Sequence, residues 1–244
     1  GLDIAASTQM GSTGIDSITE TGQIPFGDLI PFSNRGPGAG GEHGPDLAAD
    51  GADAAGALPV NQVQDGASAL ATWGGTSRST PVAAGAAALT VQAFRQANGR
   101  WPTWEEAGAL LMGGARFGGY DVFTAGSGVL DAGDSVRAAA GLGGVFALPP
   151  SWAAGDYGGQ SRPAFTNLVA AGRAATVSLT LRNPSDRPVT LRLSGARQEL
   201  LGSTPRTYTA DRRMEDGSGG ELSDHLLPID RGLIPEGTEL MVLR

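Results

Sequence analysis

Apolar and polar positions change their period along this chain. Leu2 to Ala6 is a short apolar run with the composition of a buried strand, and Leu29 to Phe32 and Leu47 to Ala49 are short edges around loops. Ser77 to Gln96 is the strongest helical pattern, stopped by Asn98-Gly99. Thr103 with Glu106 three residues on forms a capping box that starts a second helix, and Asp131 to Ala140 is a third. Gly141-Leu142-Gly143-Gly144 and Pro149-Pro150 then punctuate the chain.

Beyond Ala164 the period falls to two. Ala174 to Arg182 alternates, Asn183 to Pro188 reads as a turn, and Val189 to Ser194 alternates again, which is a β-hairpin signature. The patterns predict an α/β domain over residues 1–143 and an all-β region over residues 144–244. A sandwich needs about seven strands, and residues 150–244 supply fewer, so the second domain is expected to be incomplete.

Composition narrows the possibilities. The chain has 244 residues, enough for one large or two smaller domains, and its 40% hydrophobic content supports a packed core. A net charge of −8 argues against a nucleic-acid surface, which would be basic. No apolar run is long enough to predict a membrane span. Zero cysteines exclude disulfides and thiol chemistry without deciding the compartment.

The candidate chemistry lies in Gly75-Thr76-Ser77-Arg78-Ser79-Thr80-Pro81-Val82-Ala83-Ala84-Gly85. Gly75 allows close backbone approach to a substrate. Ser77 enters the first turn of the long helix, where free N–H groups and the helix dipole favour an oxyanion. Pro81 is expected in or just past that turn, where its missing N–H costs least. The alternative is a serine that merely caps a buried helix.

This segment resembles the active-site serine motif of the subtilases, the subtilisin-like serine peptidases: Gly-Thr-Ser-x-Ser/Ala-x-Pro followed by small residues. Further blocks resemble the family in its order. They are Gly1 to Thr8, Phe32-Ser33-Asn34-Arg35-Gly36-Pro37, Pro45 to Gly51, Trp101-Pro102-Thr103 with Glu105 to Ala115, and Gly126 to Ala132. Two departures stand out: Asp50 replaces the family's usual proline, and Gly44 stands where lysine is frequent.

The resemblance implies the C-terminal portion of a subtilisin-like parallel-sheet domain, followed by a partial immunoglobulin- or fibronectin-like sandwich. It also implies a serine endopeptidase acting through an acyl-enzyme at Ser77. Trp73, Gly75 and Thr76 are the expected substrate-binding residues, although Trp73 could equally pack beneath the turn. The polypeptide substrate is the implied partner, and an extracellular or cell-surface location is implied too.

A serine hydroxyl needs an adjacent base, and that base needs an orienting carboxylate. The chain has two histidines. Nothing around His43, beside Glu42 and Gly44, resembles the family's base motif, and His225 lies far beyond the motif. The family's triad Asp, triad His and oxyanion Asn all precede the block at Gly1. The chain is therefore expected to be part of a longer polypeptide, partnered by the missing N-terminal part of the same catalytic domain and inactive alone.

Rival readings are a non-catalytic subtilase-like binding or scaffold module, and a self-sufficient hydrolase using His43. No cofactor is expected. Subtilases often bind structural calcium, but neither Asp50-Gly51-Ala52-Asp53 nor Met214 to Glu221 has calcium-loop spacing, so no metal ligand is assigned. The phosphate-loop Gly-Lys pair is absent. Trp101, Trp104 and Trp152 are expected in the core or between domains.

Overall fold

The computed structural model describes residues 1–8, 29–30, 32–36, 43–52, 54–57, 69–117, 120–152, 156–157, 160–161, 172, 174, 176–195, 201–205 and 230–238. The chain divides into two compact units, Gly1–Thr190 and Leu191–Arg244.

In the first unit, strands β1 (Ile4–Ser7) and β2 (Leu47–Asp50) pair in parallel, Ile4 opposite Leu47 and Ser7 opposite Asp50. Ala5, Ala6, Ser7, Leu47, Ala48 and Ala49 are all buried. Burial of consecutive residues is the mark of a strand covered on both faces. Isolated bridges extend this sheet on either side, Ser7 with Leu29 and Ala48 with Val129. Strands β3 (Ala54–Ala57) and β4 (Leu70–Trp73) form an antiparallel ladder with Ala54 opposite Trp73.

Helix α1 (Thr76–Asn98) crosses the β1–β2 sheet. Its buried residues Ser79, Ala83, Ala86, Thr90 and Phe94 recur every three or four positions and form one stripe. Small side chains along the stripe let the helix lie close to the strands. Gly99 ends α1 in the left-handed conformation, its N–H donating to the Arg95 carbonyl at 2.9 Å.

Helix α2 (Trp104–Gly114) opens with the expected capping box. The Glu106 N–H donates to Thr103 Oγ1 at 3.1 Å, and the Thr103 N–H donates to Glu106 Oε2 at 2.9 Å. A single turn, α3 (Val122–Ala125), and helix α4 (Ala132–Ala139) follow, capped by Asp121 and Asp131. Strand β5 (Phe146–Leu148) packs against α2. Phe94, Ala109, Leu110, Ala138, Ala139 and Phe146 make one core cluster, and Leu47, Ala86, Leu111 and Met112 make another.

Downstream, the pattern and the structure part company. Beyond two two-residue strands, β6 (Asp156–Tyr157) and β7 (Gln160–Ser161), strand β8 (Thr180–Arg182) pairs with β5. The predicted hairpin partner Val189 to Ser194 carries no strand among the described residues. Leu191 and Leu193 are exposed, so no layer covers the apolar positions that alternation had marked. Among the described residues this region shows two-stranded ladders. The compact division falls at 190/191, and β5 packs against α2.

The three tryptophans expected inside are exposed. Trp104 is 77% accessible, and Trp101 lies under the Arg95 guanidinium at 4.2 Å. In the second unit, Asp230 caps a 3₁₀ turn, Arg231–Leu233, by accepting from the Gly232 N–H at 2.9 Å.

Candidate active site

Strand β4 ends at Trp73, and Gly74-Gly75 turns the chain into α1. Gly75 is the helix N-cap with φ 141° and ψ 161°, a region that disfavours any residue with a Cβ. It supplies no side-chain cap. Its carbonyl instead accepts from the N–H groups of Arg78 at 2.9 Å and Ser79 at 3.3 Å. Among the described residues no acceptor takes the N–H groups of Thr76 and Ser77. These are the amides a helix start offers to an anion.

Ser77 is the second residue of α1 and is exposed. Gly75, not Ser77, occupies the cap position. The capping alternative therefore fails on position, and Ser77 is left exposed at the positive end of a 23-residue helix.

Pro81 requires a correction. Because α1 begins at Thr76, Pro81 is its sixth residue and lies inside the helix. Its missing N–H is one that would have paired in sequence with the Ser77 carbonyl, four residues back. The proline thus removes the helical partner of the carbonyl on Ser77 itself.

Of the expected substrate-binding residues, Thr76 lines a cleft of about 340 Å³ whose walls include Asp3, Ser33, Arg35 and His43. Gly75 and Ser77 adjoin Thr76 in sequence but do not line that cleft. Trp73 is 36% exposed, and its ring lies 5.3 Å from the Arg78 guanidinium. It therefore stacks beneath a side chain of the helix while keeping an accessible edge.

His43 shares the cleft with Thr76, yet its imidazole is otherwise engaged. Nδ1 lies 3.9 Å from Asp46 Oδ1, and the ring is 6.2 Å from that of Phe123. Asp46 in turn accepts from the Asp3 N–H at 2.8 Å. No hydrogen bond joins His43 to Ser77. His225, Asp53 and Met214 to Glu221 lie outside the described residues. Among the described residues no group of three or more His, Asp or Glu side chains converges as a metal-ligand set would.

Arg78 and Asp50 carry more of the geometry than the sequence suggested. Arg78 holds a position where the family motif varies, and Asp50 replaces its usual proline; neither had been given a role. Arg78 Nε stands 4.0 Å from Asp50 Oδ2, with the two side chains only 14% and 10% exposed. Opposite charges, one at a departure from the family pattern and one at a variable position, were the available signal.

A parallel-strand core crossed by a long helix with an exposed serine in its first turn defines an α/β domain. The model of the subtilase family matches residues 6–140, more than half of the chain, and the chain belongs to that family of serine peptidases. No curated protein matches the sequence. No described helix is long and apolar enough to cross a membrane.

Proposed function

We propose that Ser77 is the nucleophile of a subtilisin-like endopeptidase that cleaves extended polypeptides. In this reading Ser77 Oγ bonds to the scissile carbonyl carbon as its proton passes to a base. The peptide C–N bond breaks as the amine departs with that proton, and water then releases the acyl group. The Ser77 N–H contributes to the oxyanion site. Gly75 and Thr76 flank the incoming backbone, and Trp73 borders it.

The observation carrying this reading is the exposed Ser77 in the first turn of α1, its amide without an acceptor among the described residues, inside the matched family region. The base and its carboxylate belong to sequence outside this chain, in the N-terminal part of the same catalytic domain. The isolated chain then retains at most the roughly 10³- to 10⁴-fold contribution of binding and oxyanion stabilisation. An extracellular or cell-surface setting accompanies the proposal, as does an incomplete β-sandwich as a stabilising appendage.

One observation favours a second reading, a non-catalytic binding module: no described imidazole is hydrogen-bonded to Ser77. A fluorophosphonate probe separates the two. Labelling of the longer polypeptide at Ser77, abolished by Ser77→Ala, is expected, with the isolated 244-residue chain unlabelled. A folded longer polypeptide that resists the probe supports the module. Labelling of the isolated chain that His43→Ala removes would point to His43 as base.

A further inference from the structure

The turn at Asp50-Gly51-Ala52 touches the helix start on both sides of Ser77. On one side the Gly75 N–H donates to the Gly51 carbonyl at 2.7 Å. On the other, the Arg78 guanidinium faces the Asp50 carboxylate at 4.0 Å. The turn is itself anchored to the sheet, since the Gly51 N–H donates to the Ser7 carbonyl at 2.9 Å. Asp50 Oδ1 accepts from the Ala52 N–H at 3.3 Å, which leaves Oδ2 for Arg78.

Strand β4 closes the arrangement, with the Trp73 ring 5.3 Å from the guanidinium. Gly56 makes room for both groups. A Cβ there would stand 2.5 Å from Trp73 Nε1 and 3.4 Å from Arg78 Nη1. Arg78 Nε is buried without a hydrogen-bond partner among the described residues, so at Nε the approach to Asp50 acts through charge, while the guanidinium stacks on Trp73.

We propose that Asp50 and Arg78 are a positioning pair for Ser77. The pair ties the residue after the nucleophile to the same turn that holds the residue two before it, so the Ser77 backbone is fixed from both ends. The inference rests on Ser77 being the nucleophile. Arg78 touches no reacting atom in this account and acts through the backbone it holds.

The test measures fluorophosphonate labelling of the longer polypeptide at Ser77, resolved into a limiting rate and a half-saturating probe concentration, with thermal unfolding of every variant alongside. Arg78→Met keeps a long apolar stem without the charge, and Asp50→Asn keeps the shape of Asp50. Each is expected to lower the limiting rate about tenfold with half-saturation within about twofold, the pattern of lost orientation rather than lost binding. The double variant is expected to lose about tenfold in total, not about a hundredfold, because both substitutions break one interaction. Arg78→Lys, which keeps the charge but not the flat stacking, is expected to recover part of the rate.

A limiting rate in Arg78→Met within about twofold of the parent overturns the pair, as do multiplying losses in the double variant or a rate loss that only follows the unfolded fraction. If the parent labels at Ser77 and Arg78→Met is indifferent, only the pair fails. If the parent does not label, the nucleophile reading fails and takes the pair with it.

Discussion

Glu106 offers the sharpest test of the packing around α1 and α2. Its side chain is 9% exposed and gripped at both oxygens. Arg100 donates from Nη1 to Oε2 at 2.8 Å and from Nη2 to Oε1 at 2.7 Å, and the Thr103 N–H adds a third bond at 2.9 Å. The Arg100 hydrogen bonds outweigh the burial that opposes ionisation, and they bring the carboxyl from an ordinary 4.5 down to about 2. That difference corresponds to at most about 3 kcal/mol of folding stability. Because the folded value is depressed, the contribution is complete above about pH 4.5 and is lost as pH falls through about 2. Glu106→Gln removes the charge while keeping the volume. Arg100 is left 53% exposed and hydrated, so no buried cation is orphaned to inflate the loss. Urea unfolding near pH 6 should find Glu106→Gln less stable by up to about 3 kcal/mol, and near pH 2 the gap should shrink below about 1 kcal/mol. Parent and variant curves that stay parallel across this range would refute the assignment of acid sensitivity to this carboxylate.

Two further substitutions probe the floor beneath the nucleophile turn. Ser79 Oγ is fully buried with no hydrogen-bond partner among the described residues, so Ser79→Ala should leave stability unchanged or raise it by about 1 kcal/mol in urea unfolding; a clear loss would reveal a partner for that hydroxyl. A Cβ at Gly51 would stand 2.3 Å from Ser79 Oγ, 2.7 Å from Ala6 Cβ and 2.8 Å from the Gly75 carbonyl. Gly51→Ala should therefore destabilise by about 1–3 kcal/mol, with only part recovered in the Gly51→Ala/Ser79→Ala double variant; an unfolding midpoint equal to the parent's would reject the crowding.

The α/β part of the fold was legible because its determinants are local. The Thr103–Glu106 capping box and the Asn98-Gly99 stop each act within four residues and appear where the pattern puts them, and the helix expected from Asp131 opens on that residue as its cap. The hairpin expected at residues 174–194 was not realised, for a reason that lies outside its own segment. Alternation marks which side chains would share a face, but a strand also needs a partner edge and a covering layer. Thr180–Arg182 finds an edge on Phe146–Leu148, whereas Val189 to Ser194 finds none among the described residues. Aromatic content misled in a similar way. Trp101 and Trp104 carry large apolar area, but cation–π contact with Arg95 and a place at the helix start keep them at the surface.

The candidate site divides along the same line. Ser77, Gly75 and Thr76 are contiguous, so spacing alone placed the serine at a helix start and the glycine at the turn before it. What spacing misjudged was the cost of Pro81: it stands four residues after Ser77, so inside the helix it strips the Ser77 carbonyl of its helical donor. The Asp50–Arg78 contact was out of reach for a different reason. Taken singly, neither an aspartate in place of proline nor an arginine at a variable position suggests a contact. Only the return of β2 beside the start of α1 makes them one interaction. A buried Arg–Asp contact at 4.0 Å, without a hydrogen bond at Nε, is weak support for stability, since desolvating two charges offsets much of their attraction. Its cost is easier to understand if the pair is retained for where it holds the backbone, and that place is the peptide on either side of Ser77.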